Sequence, residues 1–225
     1  MESGSRGLRM AAMHRRFASS MQLSDATREK LARVILGSLH DFGFPTDLEI
    51  AEEGLARMGL PAIRPLTERL SPEQSMAQRA QAARILGQLA LQLKAPKGEM
   101  TRTGAAVTDI LRRMQALLTE KSFRERGTLF AAMGKLVSSP AASKASAEVV
   151  SRTLLNAAGS PEGQEANGAL EGLTYLAASR RADPQLIATV TGLLRRVMDE
   201  VRTDVVARET EVDGEKVIEI AQGED

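Results

Sequence analysis

The sequence contains no Cys, and the first groups to weigh for reactivity are its carboxylates, two histidines and arginine pairs. Disulfide scaffolds, thiol catalysis and thiolate metal sites are thereby excluded. His14 and His40 stand 26 positions apart, so metal ligation would rest on carboxylates alone. No Gly-x-Ser-x-Gly elbow accompanies His40, and His14 falls in an expected tail, which leaves no Ser-His-Asp arrangement. Glu52 and Glu53 are adjacent, point to different sides of a helix and read as solvated charges. The stretch 98–104 (GEMTRTG) looks superficially like a phosphate loop but lacks the Gly-Lys-Ser/Thr ending and a preceding strand. Arg112-Arg113, Arg180-Arg181 and Arg195-Arg196 could touch phosphates. Neighbouring positions on a helix diverge by about a hundred degrees, however, and the formal charge is only +1. The expectation is a protein with no catalytic residues, no metal site and no cofactor, for which nucleic acid is the lesser partner and no small-molecule substrate is evident.

The elements that would position any site are helices. Only five Phe, one Tyr and no Trp stand against 33 Ala and 27 Leu. That palette suits close helix contacts and starves a β-sandwich of cross-strand pairs, so the predicted class is all-α. The 225 residues fit one domain or a string of small units sharing one core. No apolar run approaches the eighteen residues of a membrane span, and 7–21 (GLRMAAMHRRFASSM) has arginines where a secretory signal needs its apolar stretch. A soluble, cytoplasmic protein is expected, with no membrane contact. Residues 1–23 are read as a basic flexible tail, although their Arg- and Ser-rich composition also loosely resembles an organelle transit peptide. Charge is uneven along the chain. Residues 1–33 carry seven bases against three acids, +4, and residues 199–225 carry ten acids against three bases, −7.

Helices are predicted from Ser24 to about Asp41, and from a Thr46/Glu49 capping box to Met58 after a stop at Gly43 and Pro45. Gly59 supplies a left-handed exit and Pro61 opens the next helix. A long helix follows at about 74–94, then a loop at 95–103. Two further pairs are expected at 104–118 with 123–138, and 144–158 with 162–179, and a last helix at about 184–203. Ser122, Ser138-Ser139-Pro140, Ser160-Pro161 and Asp183-Pro184 punctuate the junctions.

The second helices repeat one pattern, Arg-x-x-small-apolar-x-x-apolar-small. It reads Arg79-Ala-Gln-Ala82-Ala83-Arg-Ile-Leu86-Gly87, then Arg126-Gly-Thr-Leu129-Phe130-Ala-Ala-Met133-Gly134, then more weakly Ala166-Asn-Gly-Ala169-Leu170-Glu-Gly-Leu173-Thr174. Leu89, Leu136 and Leu176 fill the next apolar slot, and Leu55 with Met58 mark an earlier degenerate copy. With the Pro-containing stretch from Ala51 to Leu66 ahead of it, the chain resembles the HEAT-repeat family, most closely over Ala51 to Ala90. The resemblance implies four to five helix pairs over residues 24–204, forming a short right-handed α-α superhelix, a HEAT-like solenoid; a compact bundle is the alternative. It also implies that Arg79 and Arg126 tie neighbouring units together. This sequence departs from the family in lacking the turn Asp and, at Ala166, the Arg. Neither the His-Glu pairs of HEAT-type iron hydroxylases nor the Trp of HEAT-like glycosylases is present, and nothing specific supports a lyase that attaches bilin pigments.

With Leu86 at the centre of the buried face, Ala82, Ala83, Leu89, Ala90 and Leu93 point inward, and Gln74, Gln81, Arg84, Gln88 and Gln92 point out. In a HEAT-like stack the second helices line the concave side. Equivalent outward positions then form rows: Arg57, Gln88, Lys135 and Tyr175; Glu53, Arg84, Ala131 and Glu171; Gln81 with Thr128. The expected partner-binding set is therefore Arg57, Gln81, Arg84, Gln88, Thr128, Lys135, Glu171 and Tyr175, with Tyr175 as the aromatic anchor for an extended peptide or partner helix. The expected function is a non-enzymatic scaffold or adaptor for another protein. A nucleic-acid-binding repeat protein using the arginine pairs and basic N-terminus is the alternative. Residues 205–225 form an acidic end, expected as a β-hairpin around Asp213-Gly214 or as a solvated tail.

Overall fold

The computed structural model describes residues 23–39, 45–93, 100–179, 182–212 and 215–222. The expected tail up to residue 22, His14, His40, Arg180-Arg181 and the Asp213-Gly214 turn lie outside them. The chain divides into two compact units, Met1–Arg181 and Ala182–Asp225. Among the described residues the first unit consists of helices: α1 Asp25–Ser38, α2 Pro45–Arg57, α3 Leu60–Glu68, α4 Met76–Gln92, α5 Met100–Thr119, α6 Arg126–Ser138, α7 Lys144–Ala157 and α8 Gly163–Ala177. The aromatic-poor, Ala- and Leu-rich composition thus gives the all-helical unit it predicts.

Local chemistry starts and stops these helices. The hydroxyl of Ser24 accepts the amide of Thr27 at 3.3 Å, and that of Ser143 accepts the amide of Ser146 at 3.0 Å. At α4, Ser75 and Gln78 form a reciprocal capping box, so the helix begins two residues later than the pattern alone placed it. Gly59 sits at φ 69°, the left-handed conformation that lets the chain leave α2 and enter α3 within two residues. Three expectations are corrected. Pro45 is not a stop but the first residue of α2, a position where its missing N–H has no intrahelical role. Met100 to Thr103, read as loop, form the first turn of α5. The helix expected from residue 123 starts later: Ser122 stands in a turn as expected, residues 123–125 are non-helical, α6 starts at Arg126, and Phe123 is buried.

Packing places the even-numbered helices next to one another in chain order, α2 on α4, α4 on α6 and α6 on α8. On the other side α1 packs on α3 and α3 on α5, while α3 also meets α4, α5 meets α6, and α7 meets both α6 and α8. The side chains shared between these contacts are fully buried: Leu55, Met58, Leu66, Ile85, Leu86, Leu89, Ile110, Met114, Leu129, Met133 and Leu136. The inward set centred on Leu86 is buried as predicted, except Leu93, which ends α4 half-exposed.

The α6–α8 contact is backbone on backbone. A Cβ on Gly134 would lie 2.2 Å from the Cα of Gly172, and one on Gly168 would lie 2.0 Å from the carbonyl oxygen of Gly127. Only glycine permits that approach. On the α4 side, Gly87 faces Ala132 with a Cβ-to-Cα separation of 3.0 Å. Helix α6 is therefore buried nearly all round, which explains its almost uninterrupted run of Leu129, Phe130, Ala131, Ala132, Met133 and Gly134.

The second unit holds α9, Pro184–Asp204, begun by Asp183, whose carboxylate accepts the Leu186 amide at 2.6 Å. Strands β1, Val205–Val212, and β2, Glu215–Gln222, pair antiparallel with Val205 opposite Gln222 and Val212 opposite Glu215. No helix among the described residues is long and apolar enough to cross a membrane.

Candidate functional site

On α4 the spacing of Gln81, Arg84 and Gln88 by three and four residues puts all three on the side opposite Leu86. Arg84 is exposed and both glutamines are half-buried. Gln81 and Arg84 face α2, and the group they meet there is Glu52. This is the carboxylate expected to be solvated, and the structure corrects that: Glu52 is 2% exposed. The amide of Gln81 donates to its Oε1 at 3.1 Å, and the guanidinium of Arg84 donates to the same oxygen. A carboxylate removed from water in this way is tolerable only with such donors. Helix–helix approach causes the burial: Ala51 and Leu55 on α2 pack into α4, and Glu52 is carried along at the edge of that face.

Arg84 is also the wall shared by two open concavities. One, of about 600 Å³, has Leu36, Leu39 and Leu48 on its apolar side and Gln78, Gln81, Arg84, Glu125 and Thr128 on its polar side. The other, of about 480 Å³, is lined by Glu49, Glu52, Glu53, Arg84, Gln88 and Leu91. Thr128 lines the first of these, and its hydroxyl donates to the carboxylate of Glu125, the residue before α6, at 3.5 Å.

The remaining expected residues fall into a second cluster and an outlier. The Lys135 ammonium lies 2.6 Å from Glu171 and 4.9 Å from the centre of the Tyr175 ring. This joins α6 to α8 by an ion pair and a cation–π contact. Lys135 is half-buried there, whereas Glu171 and Tyr175 are exposed. Arg57 is the outlier, exposed and paired within its own helix to Glu53 at 2.5 Å.

Sequence reasoning gave Arg79 and Arg126 a structural part, and their geometry is of that kind. Arg79 is buried, bonds Glu120 at 2.6 Å and lies 5.3 Å from the Phe123 ring centre. Arg126 donates to the Leu118 carbonyl at 2.6 Å and to Glu165 at 3.2 Å. The acid that answers Arg126 thus sits one position before Ala166, where the repeat lacks its Arg. Of the arginine pairs, Arg112 and Arg113 both bond Asp109, which holds its carboxyl below the usual range, chiefly through the bond from Arg112. Arg195 and Arg196 are exposed on α9. Among the described residues no group of three or more His, Asp or Glu is placed to hold a metal ion.

No protein-family model matches the chain, and no curated protein matches it.

Proposed function

We propose that this protein is a non-enzymatic, cytoplasmic interaction module. In this reading its first unit is a short right-handed HEAT-like solenoid that holds a segment of another protein against the faces of α2, α4, α6 and α8, and its last residues form a hairpin. Support for the solenoid is the order of contacts, in which second helices follow one another as they do in a HEAT-like stack. The observation that carries the binding role is the α4 wall. Gln81, Arg84 and Gln88 present amide and guanidinium donors between two concavities, one of which has three leucines on its far side. Apolar contact with a few placed polar groups is the chemistry that orients a peptide or helix. Because Arg84 is already fixed by Glu52, little side-chain entropy is lost when a partner arrives. Tyr175, braced by Lys135, serves as the aromatic anchor farther along. The module needs no metal, cofactor or small-molecule substrate, and its partner is a protein rather than nucleic acid or membrane.

A photo-crosslinking residue placed at Gln88 or at Tyr175 tests this, with the same residue at exposed Arg152 on α7 as the control. Crosslinks to one protein from the first two positions and not from Arg152, persisting as salt is raised, are expected. Equal crosslinking from both faces, or capture of nucleic acid with steep salt dependence, overturns the reading.

A further inference from the structure

The larger concavity holds a cation that no acid answers. Arg69 follows α3, and its guanidinium reaches across to α1, where Nη2 donates to the carbonyl of Leu36 at 2.7 Å. That carbonyl is one of the last four of α1, which the helix itself leaves without a donor, so the bond holds Arg69 in place. A guanidinium carries five N–H donors, and this contact uses one of them. Glu68, the acid next to it in the chain, is already taken by Arg33 and Arg64. Among the described residues Arg69 makes no ion pair; it is half-buried, in the wall of the concavity of about 600 Å³.

What surrounds this cation selects its ligand. Leu36, Leu39 and Leu48 line the same concavity, so an apolar surface and a positive charge lie side by side, joined at Leu36, whose backbone holds the guanidinium. Ser75 and Ala77 bring the first turn of the 17-residue α4 to this wall, and its positive end adds to the field of Arg69. The other charged groups of the lining are Arg84, bonded to Glu52, and Glu125, bonded by Thr128. Glu125 and Thr128 belong to the α6 flank of α4, whereas Arg69 and the leucines come from α1, α2 and the end of α3. A carboxylate matches a guanidinium fork with two parallel hydrogen bonds. The last residue of a chain carries its carboxylate and its side chain on one carbon, which is the pairing of charge and apolar surface found here. We infer that this concavity receives the C-terminal residue of a partner chain, an apolar one, with its α-carboxylate on Arg69 and its side chain against Leu36, Leu39 and Leu48. The inference rests on the interaction-module reading and narrows the partner to a protein with a free, apolar C-terminus.

Short random peptides ending in Leu, Ile, Val or Phe, made both as free acids and as C-terminal amides, test it. They are selected by affinity on the full chain, and the best-bound members are then titrated by fluorescence anisotropy. Free acids should be selected, and each should lose about tenfold or more in affinity when amidated. Arg69→Gln should weaken the acids by a similar factor and leave the amides unchanged, so that the two forms bind alike. Arg69→Lys keeps the charge without the fork and should fall between, and Leu48→Ser should weaken acids and amides together. Because Arg69→Gln also removes the bond to Leu36, its circular dichroism is compared with that of the unsubstituted chain; if the variant does not fold, the acid-against-amide comparison on the unsubstituted chain decides alone. Equal binding of acids and amides overturns the inference. So does recovery of binding by amides that carry an internal Asp or Glu, the mark of a side-chain carboxylate. In both cases peptides still bind, and the interaction-module reading stands. Absence of any bound peptide overturns the inference as well, and the crosslinks from Gln88 and Tyr175 then show whether the wider reading falls with it.

Discussion

Glu52 keeps its carboxylate out of water only because Gln81 and Arg84 both donate to it. Removing Arg84 leaves a buried charge with a single amide donor, whereas removing the charge as well leaves a neutral pair. Arg84→Met should therefore cost about 2 kcal/mol, below the ~3–5 kcal/mol of a fully buried pair because Arg84 itself is solvated. The double variant with Glu52→Gln should recover much of that loss. Urea midpoints of the four proteins in the cycle check this, and additive losses would remove the coupling. Glu68 behaves differently because it is exposed. A hydrogen bond from Arg33 is the main cause that holds its pKa below the ordinary value, and the bond from Arg112 does the same for Asp109. For both, the folded pKa lies below the unfolded one. Their contribution is present at neutral pH and is lost as pH falls from the ordinary carboxylate range through the lowered folded values. Thermal midpoints should decline on acidification, and less so in an Arg33→Met, Arg112→Met protein.

At the scale of the helix, the α6–α8 contact is the most sharply specified. A methyl on Gly168 would stand 2.0 Å from a backbone oxygen, so Gly168→Ala forces the two helices apart and should destabilise by roughly 3 kcal/mol or more. Gly163, at the start of the same helix, has nothing within 4 Å, and Gly163→Ala should be neutral or stabilising by up to about 1 kcal/mol. Thermal midpoints that moved alike would mean the contact is looser than it stands. This contact also marks a limit of the sequence. Periodicity located the helices, and centring on Leu86 separated buried Ala82, Ala83, Leu89 and Ala90 from Gln81, Arg84 and Gln88, because a single helix carries that information. Gly134 read only as a small residue and Gly168 fell at an unspecified position of the repeat, since the demand for glycine comes from a neighbour's backbone. Glu52 was misread for the same reason: its donors lie 29 and 32 residues away, and nothing near it in the chain announces them. Phe123 escaped notice because its partner, Arg79, is as distant. The set from Gln81 to Tyr175 was legible as an outward side, and its division into an α4 wall and an α6–α8 cluster was not.

For the first unit as a whole, the order of contacts bears on how it should come apart. A helical stack in which each pair touches only its neighbours is nearly one-dimensional, so its ends open before its middle. Helix α6 lies between α4 and α8 and is also covered by α5 and α7, whereas among the described residues α1 packs mainly on α3 and more slightly on α2. If the solenoid reading holds, amide exchange should be slowest in α6, somewhat faster in α4 and α8, and fastest in α1, with the spread exceeding what fraying gives within any one helix. A compact bundle folded about one centre opens instead in a single global step, and protection would be nearly level from α1 to α8. Leu86→Asp sharpens the contrast by burying an unpaired charge in α4. In a stack it should release exchange in α2, α4 and their covering helices first while α8, joined to α6 through glycine backbone and the Lys135–Glu171 pair, keeps measurable protection. Uniform loss of protection through α8 in that variant would show one cooperative core, and with it the concave face on which the proposed binding role depends would lose its basis.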